Sequence, residues 1–199
     1  LVEVVHGGFV VTLRRNGQHL GDRGGVFGVA QRGVDEQRSD RGEAGVAGAW
    51  AVVAVGFEVI CAARRLDRVQ AVADEIGGTA VQCDVTDEAD VAALADLVGE
   101  SLDLLVNNAG GALGQKPVRE AEIDAWQTMY DVNVLGSARV TKALLPALIK
   151  GQGTVVFVTS TAAESAYEGG AGYCGVKSAQ RALAGSLRLE LFDQPVRVC

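Results

Sequence analysis

The chain has 199 residues, 48% of them apolar and 22% charged, which suits one α/β domain with a well-buried core. Its formal charge of -7 and the scatter of its lysines and arginines, with no basic stripe, exclude nucleic acid and an anionic membrane surface as partners. Aromatics are scarce at 5%, while 26 glycines and many alanines point to helices packed closely on a sheet.

In chain order, Phe9 to Leu13 (FVVTL) reads as a short strand. Arg14 to Gly48 shows neither helical nor strand period; this mixture of Gly, Arg, Asp and Gln reads as loop or disorder. A structureless stretch of that length in a compact domain is anomalous, so residues 1–48 are set apart from a domain at 49–199. Ala49 to Val55 is apolar and helix-compatible, Gly56 breaks it, and Phe57 to Ala63 (FEVICAA) is a strand ending at Arg64-Arg65. Apolar residues at 66, 69, 72, 73 and 76 predict a helix that Gly77-Gly78 stops. Ala80 to Cys83 is a strand, and Thr86 is placed to cap a helix with apolar positions 91, 94, 95 and 98.

Leu102 to Val106 (LDLLV) is a strand running into Asn107-Asn108-Ala109-Gly110, followed by a loop to Pro117 and a long helical region from Ile123 to Ile149. After the turn Gly151-Gln152-Gly153, Thr154 to Thr159 (TVVFVT) is a wholly apolar strand. A helix runs from Tyr173 to Phe192, and Val196 to Cys199 starts another strand. Strands alternating with helices, several apolar throughout, predict an α/β, doubly wound, Rossmann-like parallel sheet with helices on both faces. Both ends look cut, since the chain opens on Leu1 and stops at Cys199 inside a strand. Cys61 and Cys83 sit in buried strands, and no cysteine has metal-ligand spacing, so no metal is expected. With no signal peptide, a reducing cytoplasm is expected. The longest uncharged run, Ala44 to Phe57, is too short to span a bilayer.

Ligands of an open parallel sheet bind beyond the carboxyl ends of its strands, and four such ends carry something specific. Arg64 and Arg65 follow the first, with Ala63 where an acid would hold a ribose 2′-hydroxyl; two guanidiniums there suit a 2′-phosphate or, taken alone, a solvated helix start. Asp84-Val85 follows the second, a carboxylate suited to an adenine amino group or to flanking a helix. Asn107-Asn108-Ala109-Gly110 follows the third, two amides that are costly without a partner, then two small residues that admit a ligand to the backbone. Ser160 follows the fourth, and Tyr173 stands one helical turn before Lys177, so phenol and ammonium share a face; taken alone the pair reads as a surface Tyr and Lys on an ordinary helix. A cation that close is expected to lower the tyrosine pKa, giving a group that trades a proton with a carbonyl or alcohol oxygen which Ser160 can also bind. Asn133, in the mid-helix run DVNVLG, is a poor helix former; taken alone it reads as a solvent-facing amide.

Taken together, NNAG, the mid-helix Asn, a strand-end Ser and YxxxK, in this order and spacing over residues 50–199, resemble the short-chain dehydrogenase/reductase family. The resemblance implies that Tyr173 is the general acid/base, that Ser160 polarises the substrate carbonyl, and that Lys177 lowers the tyrosine pKa and holds the nicotinamide ribose. Asn133 would support a water-linked proton relay. Asn108, Ala109 and Gly110 would line the cofactor cleft, Asp84 and Val85 contact adenine, and Arg64 with Arg65 favour NADP over NAD. Small-molecule carbonyls or alcohols are the implied substrates, and a homodimer or homotetramer the implied assembly. The wording NNAGGALG, YEGGAGY and LRLELFDQPVRV is similar to the branch of 3-hydroxy acid and serine dehydrogenases.

One family element is missing. The family opens with a strand and TGxxxGxG, which brings a helix N-terminus onto the pyrophosphate; here Gly24, Gly28 and Ala30 stand in a poor context for it. Were Asp22 to Gly28 encoded by GAC CGG GGC GGC GTC TTC GGG, reading one nucleotide later would give Thr-Gly-Ala-Ala-Ser-Ser-Gly, a usual version of the missing motif. On that choice of codons, a partly frameshifted N-terminal segment is the hypothesis for residues 1–50. The competing expectation for the whole chain is a catalytically inactive dinucleotide-binding remnant or an oligomer partner.

Overall fold

The computed structural model describes residues 10–15 and 57–199. Six strands make one sheet: β1 (Val10–Arg15), β2 (Phe57–Ala63), β3 (Thr79–Gln82), β4 (Leu104–Asn107), β5 (Thr154–Phe157) and β6 (Arg197–Val198). Their order is β3-β2-β1-β4-β5-β6, the doubly wound order. The helices are α1 (Leu66–Ile76), α2 (Glu88–Val98), α3 (Ile123–Tyr130), α4 (Ser137–Gly151) and α5 (Ala171–Glu190). A π-helical turn, Asp131–Gly136, joins α3 to α4 without a break.

The inner parallel strands β2, β4 and β5 are largely apolar on both faces because both faces are covered. Ile60, Ala62, Leu105, Val155 and Phe157 face a core shared with Val91 and Leu94 of α2, Val140, Leu144 and Leu148 of α4, and Ala184 of α5. The alternate residues Val59, Cys61 and Leu104 meet Val69 and Ile76 of α1 on the other face. A third cluster, with Met129, Val134, Ala162, Tyr173 and Cys174, lies under the site described below. The continuous helix from Ile123 to Gly151 is long and apolar enough to cross a membrane, but half of its most apolar stretch is buried inside the protein, as in a core helix.

Most elements fall where the sequence places them, with boundaries moved by a few residues. Gly77 does end α1, in the left-handed conformation with φ of 67°, its N–H bonded to the Ala73 carbonyl. The cap of α2 is corrected. Asp87, not Thr86, accepts hydrogen bonds from the N–H groups of Ala89 and Asp90, because Thr86 is committed to the turn before it, its N–H and hydroxyl both donating to Asp84 Oδ1.

The larger correction is the direction of β1. Its neighbours β2–β3 and β4–β5–β6 pair in parallel, but β1 runs antiparallel to both β2 and β4, with Val10 opposite Ala62 and Asn107. Backbone bonding satisfies either direction, and a period-two pattern reads the same both ways. Thr12 is buried in this strand, and its hydroxyl oxygen has no hydrogen-bond partner. The register places Val10 at the carboxyl edge of the parallel strands and Arg15 at the opposite edge, so the chain leaves β1 away from that edge. Ala49 to Val55 and the Gly24, Gly28 and Ala30 positions lie outside the described residues.

Candidate active site

The loops beyond β2, β3, β4 and β5 leave from one edge of the sheet; the candidate residues fall on them, apart from Asn133 in the π turn and Tyr173 and Lys177 on α5. At β4, Asn107 is buried, its Nδ2 donating to Thr141 Oγ1 of α4 at 2.9 Å. Its Oδ1 is buried without a hydrogen-bond partner. Asn108, Ala109 and Gly110 follow, half-buried. Gly110 has φ of 152°, and a Cβ there would lie 2.8 Å from Asn133 Cγ, so only glycine fits.

Asn133 is not a solvent-facing amide. It is 1% exposed, in the π turn, where an added residue per turn rotates the side chain inward. Its Oδ1 accepts from the Gly111 N–H and its Nδ2 donates to the Gly111 carbonyl, each at 3.2 Å, a second Nδ2 bond reaching the Met129 carbonyl at 2.8 Å. One carboxamide thus fastens the loop after β4 to the helix that follows it. The π turn also brings Gly136 against Val85, and Arg139 pairs with Asp131 at 2.8 Å.

Ser160 follows β5 by three residues rather than ending it, because the strand stops at Phe157. It caps the short 3-10 turn Thr161–Ala163, its Oγ accepting from the Ala162 N–H at 3.2 Å, which leaves its own O–H free to donate. Helix α5 begins at Ala171, two residues before the expected start, so Tyr173 lies in its first turn. Trp126 of α3 packs so tightly on this turn that a Cβ on Gly172 would lie 2.5 Å from its Nε1. Tyr173 and Lys177 are 4% and 5% exposed, which excludes an ordinary surface pair.

The electrostatics differ from the sequence expectation. Burial raises the Tyr173 pKa above its ordinary value, opposed by the Ser160 hydroxyl, with Tyr167 and Cys174 adding to the rise. The expected lowering by Lys177 is absent, because the ammonium is turned to other partners. Its Nζ donates to the Val158 carbonyl and to Gln180 Oε1, both at 2.9 Å, and lies 5.9 Å from the phenol ring centre. Burial depresses Lys177 itself to about 8.

The remaining candidates are less gathered. Arg64 and Arg65 are exposed just past β2, and the Arg64 carbonyl accepts from Gln82. Asp84 is half-buried; one oxygen accepts from Thr86 as described, and its N–H donates to Asp90 Oδ2. Val85 is buried against α4. Ser137 and Gln180 do not stand out in the sequence, although Gln180 sits three residues after Lys177 on the same helical face, a polar residue in a buried row. A groove between α4 and α5 lined by Leu145, Leu183 and Leu187 holds none of these residues. Among the described residues no cluster of His, Cys, Asp and Glu suits a metal.

The short chain dehydrogenase family model matches residues 43–199. An uncharacterized oxidoreductase of Mycobacterium tuberculosis is 53% identical over 155 residues, covering 77% of this chain and 61% of that protein. An NADP-dependent 3-hydroxy acid dehydrogenase of Escherichia coli is 38% identical over 149 residues, covering 72% of this chain and 60% of that one. A closed serine dehydrogenase structure complexed with NADP+ superposes with a TM-score of 0.71 at 32% identity, over 77% of this chain and 65% of that one. The chain spans about 61% of the length of the mycobacterial relative. The chain belongs to the short-chain dehydrogenase/reductase family, in its 3-hydroxy acid dehydrogenase-like branch.

Proposed function

We propose that this chain carries the proton-transfer half of an NADP-dependent oxidoreductase that interconverts a carbonyl and an alcohol, with Tyr173 as general acid/base. The carrying observation is Tyr173 buried one turn before a buried Lys177, with Ser160 against the phenol. A nicotinamide cofactor, when bound, supplies or accepts the hydride. The residues present fit such a group. Lys177 has two acceptors for three N–H bonds, which leaves one for a ribose hydroxyl. Asn107 Oδ1 is an unmatched acceptor at the edge where Asn108, Ala109 and Gly110 would line the cleft. Asp84 and Val85 would meet adenine, and Arg64 with Arg65 would hold a 2′-phosphate.

In reduction the Tyr173 O–H gives its proton to the substrate oxygen while the Ser160 O–H donates a hydrogen bond to the same atom. A phenol held above its ordinary pKa is protonated at neutral pH, the form reduction needs. Oxidation needs the phenolate, so its rate rises with pH through the alkaline range while the reduction rate falls there. By kinship with the branch named above, 3-hydroxy acids are the first substrates to try. A cytoplasmic homodimer or homotetramer completes the reading; light scattering after gel filtration reads the assembly.

The test pairs NADPH fluorescence titration with turnover. Tyr173→Phe is expected to cut the rate by about 100-fold or more while sparing cofactor affinity. A Phe variant with the parent rate overturns the assignment. A second reading, an inactive remnant or an oligomer partner, draws on the reversed β1. The pyrophosphate loop of a doubly wound sheet follows a strand that ends at the carboxyl edge, and this one ends at the other. No NADPH binding up to millimolar concentration would favour that second reading.

A further inference from the structure

A line of hydrogen bonds runs under the candidate site through two residues that do not reach the reacting atoms. Lys177 Nζ donates to Gln180 Oε1 at 2.9 Å, and Gln180 Nε2 donates to Ser137 Oγ at 3.1 Å. The Ser137 O–H donates to the Asn133 main-chain carbonyl at 2.7 Å, across the π turn. Asn133 in turn clasps Gly111 through its carboxamide. Gln180 is fully buried and Ser137 3% exposed. A buried amide costs stability unless its polar ends are matched, and an aliphatic residue at 180 would pack without that cost. Here both ends are matched, one of them by the ammonium.

We propose that Gln180 and Ser137 are positioning residues that tether the Lys177 ammonium beneath Tyr173 by joining it, side chain to side chain, to the main chain of Asn133. The proposal rests on the functional reading above for its link to catalysis, but not for its geometry. The π turn then serves the site twice, turning Asn133 toward Gly111 and presenting the Asn133 carbonyl to Ser137.

Among the described residues, the groups facing Nζ are uncharged. β5 and its following loop offer the Val158 carbonyl, α5 offers Gln180, and the π turn with the start of α4 offers Ser137 and the Asn133 carbonyl behind it. Tyr173 is the titratable neighbour on the same helix, with Tyr167 and Cys174 beyond it acting on the phenol. Gln180 Oε1 therefore favours the charged form of a lysine that burial disfavours. Removing it leaves the Val158 carbonyl as the ammonium's remaining partner.

The experiment is a titration of Lys177 by NMR in protein labelled with 13C-lysine. The chain has four lysines; Lys116, Lys142 and Lys150 are exposed, and Lys177→Met identifies the fourth signal by its loss. In Gln180→Met the Lys177 midpoint is expected to fall by about one to two pH units, the loss of one charged hydrogen bond. Ser137→Ala, which deletes only a hydroxyl, should move it less and in the same direction. The double variant should move it no further than Gln180→Met, because the line passes through Gln180. An unchanged Lys177 midpoint in Gln180→Met, or in Ser137→Ala where Gln180→Met does not fold, overturns the proposal. Should the parent protein turn nothing over, the functional reading fails while the Lys177 titration still decides this one.

Discussion

Gly110→Ala tests how firmly the loop after β4 is locked to the π turn. The added Cβ would lie 2.8 Å from Asn133 Cγ and within contact distance of its Oδ1, so the carboxamide has to rotate. Rotation breaks its bonds to the Gly111 N–H, the Gly111 carbonyl and the Met129 carbonyl. At roughly 1 kcal/mol each these sum to about 3 kcal/mol, and alanine at φ of 152° adds about 1–3 kcal/mol of backbone strain. Partial relaxation leaves a loss of about 3–5 kcal/mol, a large share of the roughly 5–15 kcal/mol typical of a domain. Urea unfolding of the parent, Gly110→Ala, Asn133→Ala and the double variant measures it. Asn133→Ala removes both the bonds and the obstacle, so the double variant should cost less than the two singles summed, by about 1–3 kcal/mol. Single effects that add within about 0.5 kcal/mol would show that the two residues do not meet, and would refute the lock.

Lys177 gives a pH dependence of defined sign. Its folded pKa of about 8 lies below the ordinary 10.5, so between those values the unfolded chain binds the extra proton and stability rises with pH, by up to about 1.4 kcal/mol per pH unit. Relative to Lys177→Met, the parent should therefore gain stability from pH 8 to 10 and carry its full deficit below pH 8; parallel stability curves would contradict this. Burial pushes the Cys61 and Cys83 thiols up to about 11, with Asp90, Asp84 and Asp87 adding at Cys83, and Cys174 is buried too. Native protein should then show one fast thiol toward a disulfide reagent, the exposed Cys199, and three that react only on unfolding; a second fast thiol would place one of the others outside the core. Reading the DNA for residues 22–28 should reveal a glycine motif in an alternative frame, and its absence from both would end the frameshift idea.

Much of the fold was legible because burial leaves a period. The 66, 69, 72, 73 and 76 spacing marks α1, and Val69, Ala73 and Ile76 are indeed its buried row. The strand-end asparagines and the Tyr173–Lys177 pair stood out because polar residues beside apolar strands need a partner. Three things were not legible. The direction of β1 leaves no trace in a period-two pattern. The π turn adds one residue to a helix whose side-chain pattern stays helical, so Asn133 reads as exposed although it is buried. The third is the pKa of Tyr173, which four-residue spacing alone suggests should fall. Spacing puts two side chains on one face but does not choose their partners, and here Val158 and Gln180 take the ammonium.

These differences bear on how the site is divided. Asn107, the π turn, Ser160, Tyr173 and Lys177 are joined to one another through β4, β5, α4 and α5, and none of their bonds described above involves β1. β1 touches this half by strand pairing, with Val10 opposite Asn107, and by the Val10 side chain, which shares the core with Leu105 and Phe157. Backbone pairing tolerates reversal of a strand, whereas a pyrophosphate loop does not, because it must emerge at the carboxyl edge. The half proposed above to handle the proton can therefore be assembled in a chain whose dinucleotide affinity is lost. It follows that Tyr173 and Lys177 should keep their buried titrations even in a chain that binds no NADPH. Loss of both together would show that the halves are coupled through β1 after all.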